Sequence, residues 1–243
     1  GAPLQYSTRL HHVMTIVGNE LVSYVNGVEV ARDSTANEPV QMLRTLVHIG
    51  KSTWQDNAYW PGEVTAFKVY AGAMTQTHVA SACCAAAGVA CSNVCALHAW
   101  DYTTPATGSG YSPDSVGGTG NAAITGGTTR GAEGTLFVAS ASTFSTLNMG
   151  VVTLGGPITV ETVVKFTTFT NYAPLFNCGN GLDSDNIVLS NVGTTGRLSW
   201  RILQGASFLS PRAATARCAC RSTHTNHQLP LPTSSRTDPP PPP

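Results

Sequence analysis

Charge is scarce in this chain. Asp, Glu, Lys and Arg make up 11% of its 243 residues, where a soluble domain usually carries about a quarter. Thirteen basic side chains face thirteen acidic ones, for a formal net charge of zero. A nucleic-acid interface needs clustered Lys and Arg, so the balance excludes one as the main function. Long apolar runs are missing as well. No stretch of about twenty apolar residues reads as a membrane span, and no apolar signal core follows the first residues. The chain opens on Gly1 rather than Met, which reads as a processed product or a fragment. Extended Glu/Lys/Leu periodicity of the helical kind is also absent, and that argues against a bundle.

What the chain does have is glycine, threonine, serine and valine in short alternating runs, the composition of strands and turns. At residues 21–30, "LVSYVNGVEV", Val22 and Tyr24 alternate with Ser23 before Asn26-Gly27, and Val28 and Val30 alternate with Glu29 after it. Asn-Gly adopts positive φ cheaply, so the pair predicts a type I′ hairpin with one buried face. Further strands are expected at "LHHVMTIVG", "LRTLVHIG", "EVTAFKVYAG" and "ITVETVVKFTTF", the last alternating like a central strand. "MTQTHVASACCAAAGVA" predicts one short helix with Thr75 as its N-cap. After residue 203 large apolar residues nearly vanish, Arg and Pro accumulate, and the chain ends in "DPPPPP". Such a tail cannot bury enough surface to offset its ordering entropy and reads as disordered.

Seven cysteines are present, four of them in "CCAAAGVACSNVC" (Cys83, Cys84, Cys91, Cys95), the others being Cys178, Cys218 and Cys220. Their spacing lacks the paired C-x-x-C of a zinc site. Disulfides in an oxidising compartment are the expectation, with small buried side chains as the alternative.

The runs "LHHVMTIVGNELVSYVNGVEVA", "VHIGKSTW" and "WPGEVTAFKVYAGAMTQTHV" together resemble the second half of a laminin-G-like, concanavalin-A-like lectin domain. "AWDYTT", "SPDSVGGTGNAAITGG", "LFVAS", "ITVETVVKF" and "APLFNCGNG" through "GRLSW" are similar to the first half of such a domain. The resemblance implies an all-β fold, an antiparallel jelly-roll sandwich, with its halves in permuted order. Residues 1–82 would be the end of one repeat, 83–97 a Cys/Ala-rich linker with a short helix, and 98–203 the start of the next repeat. The two halves would pack as one sandwich, and 204–243 would be a disordered tail. The chain would then be a piece of a tandem array in an extracellular or cell-surface protein, non-catalytic, binding a glycan or an extracellular protein. The alternatives are a glycoside hydrolase of the same fold and a spacer without a ligand.

Candidate sites follow from residue chemistry. His11-His12 could suggest a metal pair, but neighbours on a strand point to opposite faces. Hydrolysis with retention needs two carboxyls about 5–5.5 Å apart. The glutamates (Glu20, Glu29, Glu38, Glu63, Glu133, Glu161) are isolated along the chain, none with an acid two positions away. No G-x-S-x-G elbow is present. In "KSTWQDNAYW", Trp54 and Tyr59 can stack on a sugar ring while Asp56 and Asn57 bond its hydroxyls; Trp60 reads as a core residue before its glycine. In "NCGNGLDSDN", Asn180, Asp183, Asp185 and Asn186 offer oxygens of the kind calcium takes, although Asx-rich turns form without a metal.

Overall fold

A computed structural model of the chain describes residues 7–54, 57–85, 96–102, 111–112, 115, 122–125, 129–131, 134–137, 146–182, 184–204 and 214–216. In chain order the elements are β1 (Arg9–Val17), β2 (Glu20–Val25), β3 (Val28–Asp33), β4 (Met42–Arg44), β5 (Leu46–Ile49), β6 (Gly62–Ala71) and α1 (Gln76–Ala85). Then come β7 (Ala96–Asp101), β8 (Tyr111–Ser112), β9 (Ala122–Thr125), β10 (Thr129–Gly131), β11 (Gly134–Phe137), β12 (Thr146–Asn148) and β13 (Val152–Leu154). The last are β14 (Ile158–Phe166), β15 (Pro174–Gly179), β16 (Ile187–Asn191), β17 (Leu198–Ile202) and β18 (Ala214–Ala216).

Two antiparallel sheets face each other. The first runs β10-β11-β6-β14-β1-β2-β3, with β7 also on β6, and the second runs β18-β17-β16-β15-β5-β12-β9-β8. β13 and β4 form a small separate ribbon. The expected all-β sandwich is what the chain forms. β14 lies at the centre of the first sheet, between β1 and β6. β5 is likewise flanked by β15 and β12. In both sheets, strands from the first part of the chain therefore pair directly with strands from the later part.

Alternation places the core. Leu10, Met14 and Ile16 of β1, Val160, Val164 and Phe166 of β14, and Val47, Ile49, Phe176 and Cys178 opposite them share one buried cluster. Each fully buried side chain of this size contributes about 1.5–3 kcal/mol of transfer free energy. Trp60 is wholly buried in it, as expected, with its ring edge-on to Phe166 at 5.4 Å.

The hairpin turn adopts positive φ at Asn26 (50°) and Gly27 (78°), the I′ geometry. Its burial differs from the expectation of one covered face. Leu21, Ser23 and Val25 point inward, yet Val22 and Tyr24 on the other face are also buried. The cause is α1, whose Val79 joins Met74, Val13, Val22, Tyr24 and Tyr70 in a second small core outside the first sheet. Thr75 caps the helix, its Oγ1 accepting from His78 N at 3.3 Å. The helix thus starts where the sequence places it and runs into the first residues of the linker, ending at Ala85, while 86–95 fall outside the described residues.

His11 and His12 do face opposite ways. His12 is fully buried, bonded to Ser23 Oγ at 3.0 Å and stacked on Trp200. Burial, then the neighbouring His11, lowers its pKa to about 3, so it is a neutral core residue. Cys178 is a free, buried thiol, pushed up to about 12 by burial. The other six cysteines lie outside the residues whose side chains are described. Of the segment read as a disordered tail, residues 214–216 instead pair with β17. Ala-Thr-Ala is short and small enough to add to an edge whose backbone groups are otherwise open. The remainder, 205–213 and 217–243, lies outside the described residues.

Candidate functional site

The site is built on the outer face of β5. Val47 and Ile49 point into the core, so the period of two turns Leu46 and His48 outward. Beyond β5 the chain leaves the sheet at Gly50 and returns at Trp60. This loop is closed at its base by Trp60 N donating to Gly50 O at 3.1 Å and Gly50 N to Leu175 O at 3.1 Å. Inside it the Ser52 hydroxyl accepts from Trp54 N and from Asn57 Nδ2, both at 2.9 Å. A neighbouring loop holds the far side, through Ala58 N to Asn171 O at 3.2 Å and Thr170 Oγ1 to Tyr59 O at 3.0 Å. Between this loop and residues 181–182 opens a cavity of about 490 Å³, lined by Leu46, His48, Lys51, Trp54, Asn57, Tyr59 and Leu182 among others.

Three of the four residues expected to bind a ligand, Trp54, Asn57 and Tyr59, line this one cavity. Asp56 lies outside the described residues. One donor of Asn57 is already spent on Ser52, so its capacity for ligand hydroxyls is smaller than the sequence suggests. Leu46, His48, Lys51 and Leu182 were not expected here. Their signal was the outward phase of β5 and the proximity of a second loop that only the sheet order creates.

The second wall, 180–186, is the loop expected to hold calcium. Asn180 accepts from Thr45 N at 3.0 Å and donates to Leu43 O at 2.9 Å, clamping the loop onto the β4–β5 segment. Asn186 donates to Gly181 O at 2.8 Å and Leu182 O at 2.9 Å, and its Oδ1 lies against Gly179. The left-handed Asp185 (φ 55°) offers its carbonyl to Arg44 Nε at 3.0 Å. Arg44 itself is buried and also bonds the carbonyls of Val40 and Leu154. Asp183 lies outside the described residues. Asn180 and Asn186 therefore work as loop clamps, with their amide oxygens directed at two different places. Among the described residues no three His, Cys, Asp or Glu side chains gather as a metal site. Calcium at about 1–10 mM, at or above the range of extracellular calcium modules, should leave Tm unchanged. A rise by mass action would restore the site.

The cavity's electrostatics are set by two side chains. Burial, and then the Lys51 ammonium, lowers the His48 pKa to about 4, so at neutral pH the imidazole is an uncharged donor-acceptor beside one cation. No carboxylate is among the described lining residues. The glutamate that does sit in a chemically rich environment, Glu161, is on the outer face of the other sheet. It meets His11 Nε2 at 3.1 Å, Lys68 Nζ at 3.5 Å and the Tyr70 hydroxyl. Glu63 is held by Arg9 at 3.2 Å and Lys165 at 2.7 Å. These acids are therefore occupied as structural ion pairs.

With the sandwich, the hairpin and the W-x-G core contact in place, comparison with known families is specific. Residues 1–80 match a laminin-G model described as "Concanavalin A-like lectin/glucanases superfamily". This stretch, less than half of the chain, is similar to that superfamily. It contains β1 to β6, Trp54, Tyr59 and the start of α1, and so supplies one wall of the cavity. The other wall, at Gly181 and Leu182, lies outside the match. No curated protein and no solved structure matches the chain. Among the described residues no helix is long and apolar enough to cross a membrane.

Proposed function

We propose that the chain is a non-catalytic binding module for a glycan, acting outside the cell or at its surface. One observation carries this reading. A cavity of about 490 Å³ brings two aromatic side chains, Trp54 and Tyr59, together with a neutral His48, Lys51 and Asn57. Aromatic faces take the apolar face of a sugar ring while the polar groups beside them bond hydroxyls. The superfamily of residues 1–80 includes lectins and glucanases, and the absence of a described carboxylate at the cavity favours the lectin-like reading. The direct pairing of β14 with β1 and β6, and of β5 with β12 and β15, supports a further part of the proposal, that two half-repeats of a tandem array dock here as one permuted sandwich.

A glycan array combined with a reducing-sugar assay tests the reading. Binding without release of reducing ends is expected. Release would indicate a glycoside hydrolase of the same fold, and neither result would indicate a spacer or a protein-binding module. Trp54 is only half-buried, so Trp54→Ala should weaken glycan binding by about 1–3 kcal/mol, as exposed aromatic anchors do, with little change in Tm. A large fall in Tm would place Trp54 in the fold's support and remove it from the site.

A further inference from the structure

Trp54 does not stand on its loop alone. The guanidinium of Arg201, on β17, lies over its ring at 5.4 Å from the centroid. Trp54 lines the cavity, and Arg201 is not among the lining residues. Arg201 reaches this place along the outer face of the second sheet, with Nη2 at 3.4 Å from Ser190 Oγ. Its Nε is buried and has no hydrogen-bond partner, and among the described residues no carboxylate neutralises it. Burial lowers its pKa, the Tyr172 hydroxyl opposing this. A partly desolvated guanidinium stacked on an indole is the geometry in which cation–π attraction is strongest. The contact also joins distant parts of the chain, because Trp54 belongs to the superfamily-matched segment and Arg201 does not.

We propose that Arg201 is a positioning residue for this site, bracing the Trp54 indole and, together with Lys51, restricting the cavity to uncharged or acidic sugars against amine-bearing ones. This rests on the glycan-binding reading above. An aromatic pair such as Trp54 and Tyr59 would by itself also suit a cationic ligand, since the negative face of each ring attracts ammonium groups. A cation already stacked on one ring draws down that negative potential, and Lys51 at the wall repels a second cation directly. Neutral sugar faces lose nothing by this arrangement, and carboxylate-bearing sugars gain from it.

The full-length chain tests the proposal with Arg201→Met and Arg201→Lys. Met keeps the length and removes a cation that has no acid to pair with among the described residues, so Tm should hold. In the ligand-free protein, acrylamide quenching assigned to Trp54 by difference from Trp54→Phe should rise about twofold in Arg201→Met and return toward wild type in Arg201→Lys. On an array of neutral, uronate-bearing and glucosamine-bearing oligosaccharides, wild type should bind the first two classes and not the third. Arg201→Met should weaken that binding about tenfold, but have no further effect in a Trp54→Ala background. Unchanged quenching in Arg201→Met, or glucosamine-bearing glycans among the best ligands of wild type, overturns the proposal. A wild type that binds no glycan while quenching still responds to Arg201→Met would instead overturn the glycan reading and keep the brace.

Discussion

Glu161→Ala should cost about 3–5 kcal/mol of stability, because removing one member of a buried ionic and hydrogen-bonded group leaves the others short of an acceptor and a counter-charge. Glu161 lies on β14, and its partners come from both flanking strands. His11 of β1 meets one carboxylate oxygen at 3.1 Å, and the Tyr70 hydroxyl of β6 donates to the other. Lys68, also on β6, adds its ammonium at 3.5 Å. Glu161, His11 and Tyr70 are each less than a tenth exposed, being covered from outside by α1 and Met74. Deleting the carboxylate therefore removes the acceptor for two buried donors and the counter-charge for Lys68 at once. Glu161→Gln keeps the shape and one acceptor, and should lose roughly half as much. Chemical denaturation of the two variants against wild type measures the difference.

The same group sets a pH window. Burial alone would raise its pKa, but the hydrogen bond from His11, the Lys68 charge and the Tyr70 hydroxyl together hold it below the ordinary carboxylate value. A carboxylate depressed in the folded state contributes stability that is fully present above its unfolded pKa. That contribution is lost as pH falls through the lower, folded value. Lys68 and the His11 imidazole are in contact with Glu161, and Arg9, Glu63 and Lys165 lie on the same outer face. The gap in Tm between wild type and Glu161→Gln should therefore narrow as pH falls from about 6 to about 3. A gap that stays constant over this range would show that shape, not charge, is what Glu161 supplies.

This network was not legible in the sequence. His11 and Glu161 are 150 positions apart and Tyr70 and Glu161 are 91 apart, so along the chain Glu161 looks isolated. Only the insertion of β14 between β1 and β6 brings the three together. What could be read was local. Asn26-Gly27 announces its turn because positive φ is a property of those two residues. The phase of β14 announces a central strand because alternation needs no partner to be visible. The short helix was legible from Thr75, but its role was not. That it covers Val22 and Tyr24, making both faces of β2 buried, depends on where the chain goes after β6.

The site divides in the same way. Trp54 and Tyr59 stood out as aromatics in a polar loop, which is a local signal. The opposite wall was harder to read, because a run of Asn and Asp looks alike whether its oxygens face a metal or clamp backbone. Asn180 does the second, spending its amide on Leu43 and Thr45. His48 was hidden in plain strand alternation, Lys51 in the polar loop beside Trp54, and Arg201 had no signal at all, since its place over the Trp54 ring joins distant parts of the chain.

The other large expected effect is at Gly62, where Gly62→Ala should destabilise the fold by about 3 kcal/mol. Gly62 begins β6 directly after Trp60-Pro61, and its φ is ordinary, so backbone conformation does not demand glycine there. Space does. A Cβ built at Gly62 would sit 2.4 and 2.5 Å from the Trp60 indole and 2.6 Å from the carbonyl oxygen of Lys165. Neither neighbour can give way. The indole is wholly buried, edge-on to Phe166 at 5.4 Å and tilted against Phe137 at 5.7 Å. The Lys165 carbonyl belongs to β14, where Phe166 pairs with Gly62 itself. Adding the methyl group must therefore displace either the largest side chain of the core or the central strand. For a chain of this size the loss corresponds to a fall in Tm of roughly 6–12 °C. Gly18→Ala is the control, with φ of +56° and nothing within 4 Å of its Cβ; strain alone should cost it about 1–2 kcal/mol. Trp60→Leu in the Gly62→Ala background should be less destabilising than the two changes summed, because the smaller side chain makes room for the methyl group. Strict additivity of the pair would show that the clash with the indole is not what makes glycine necessary at this position.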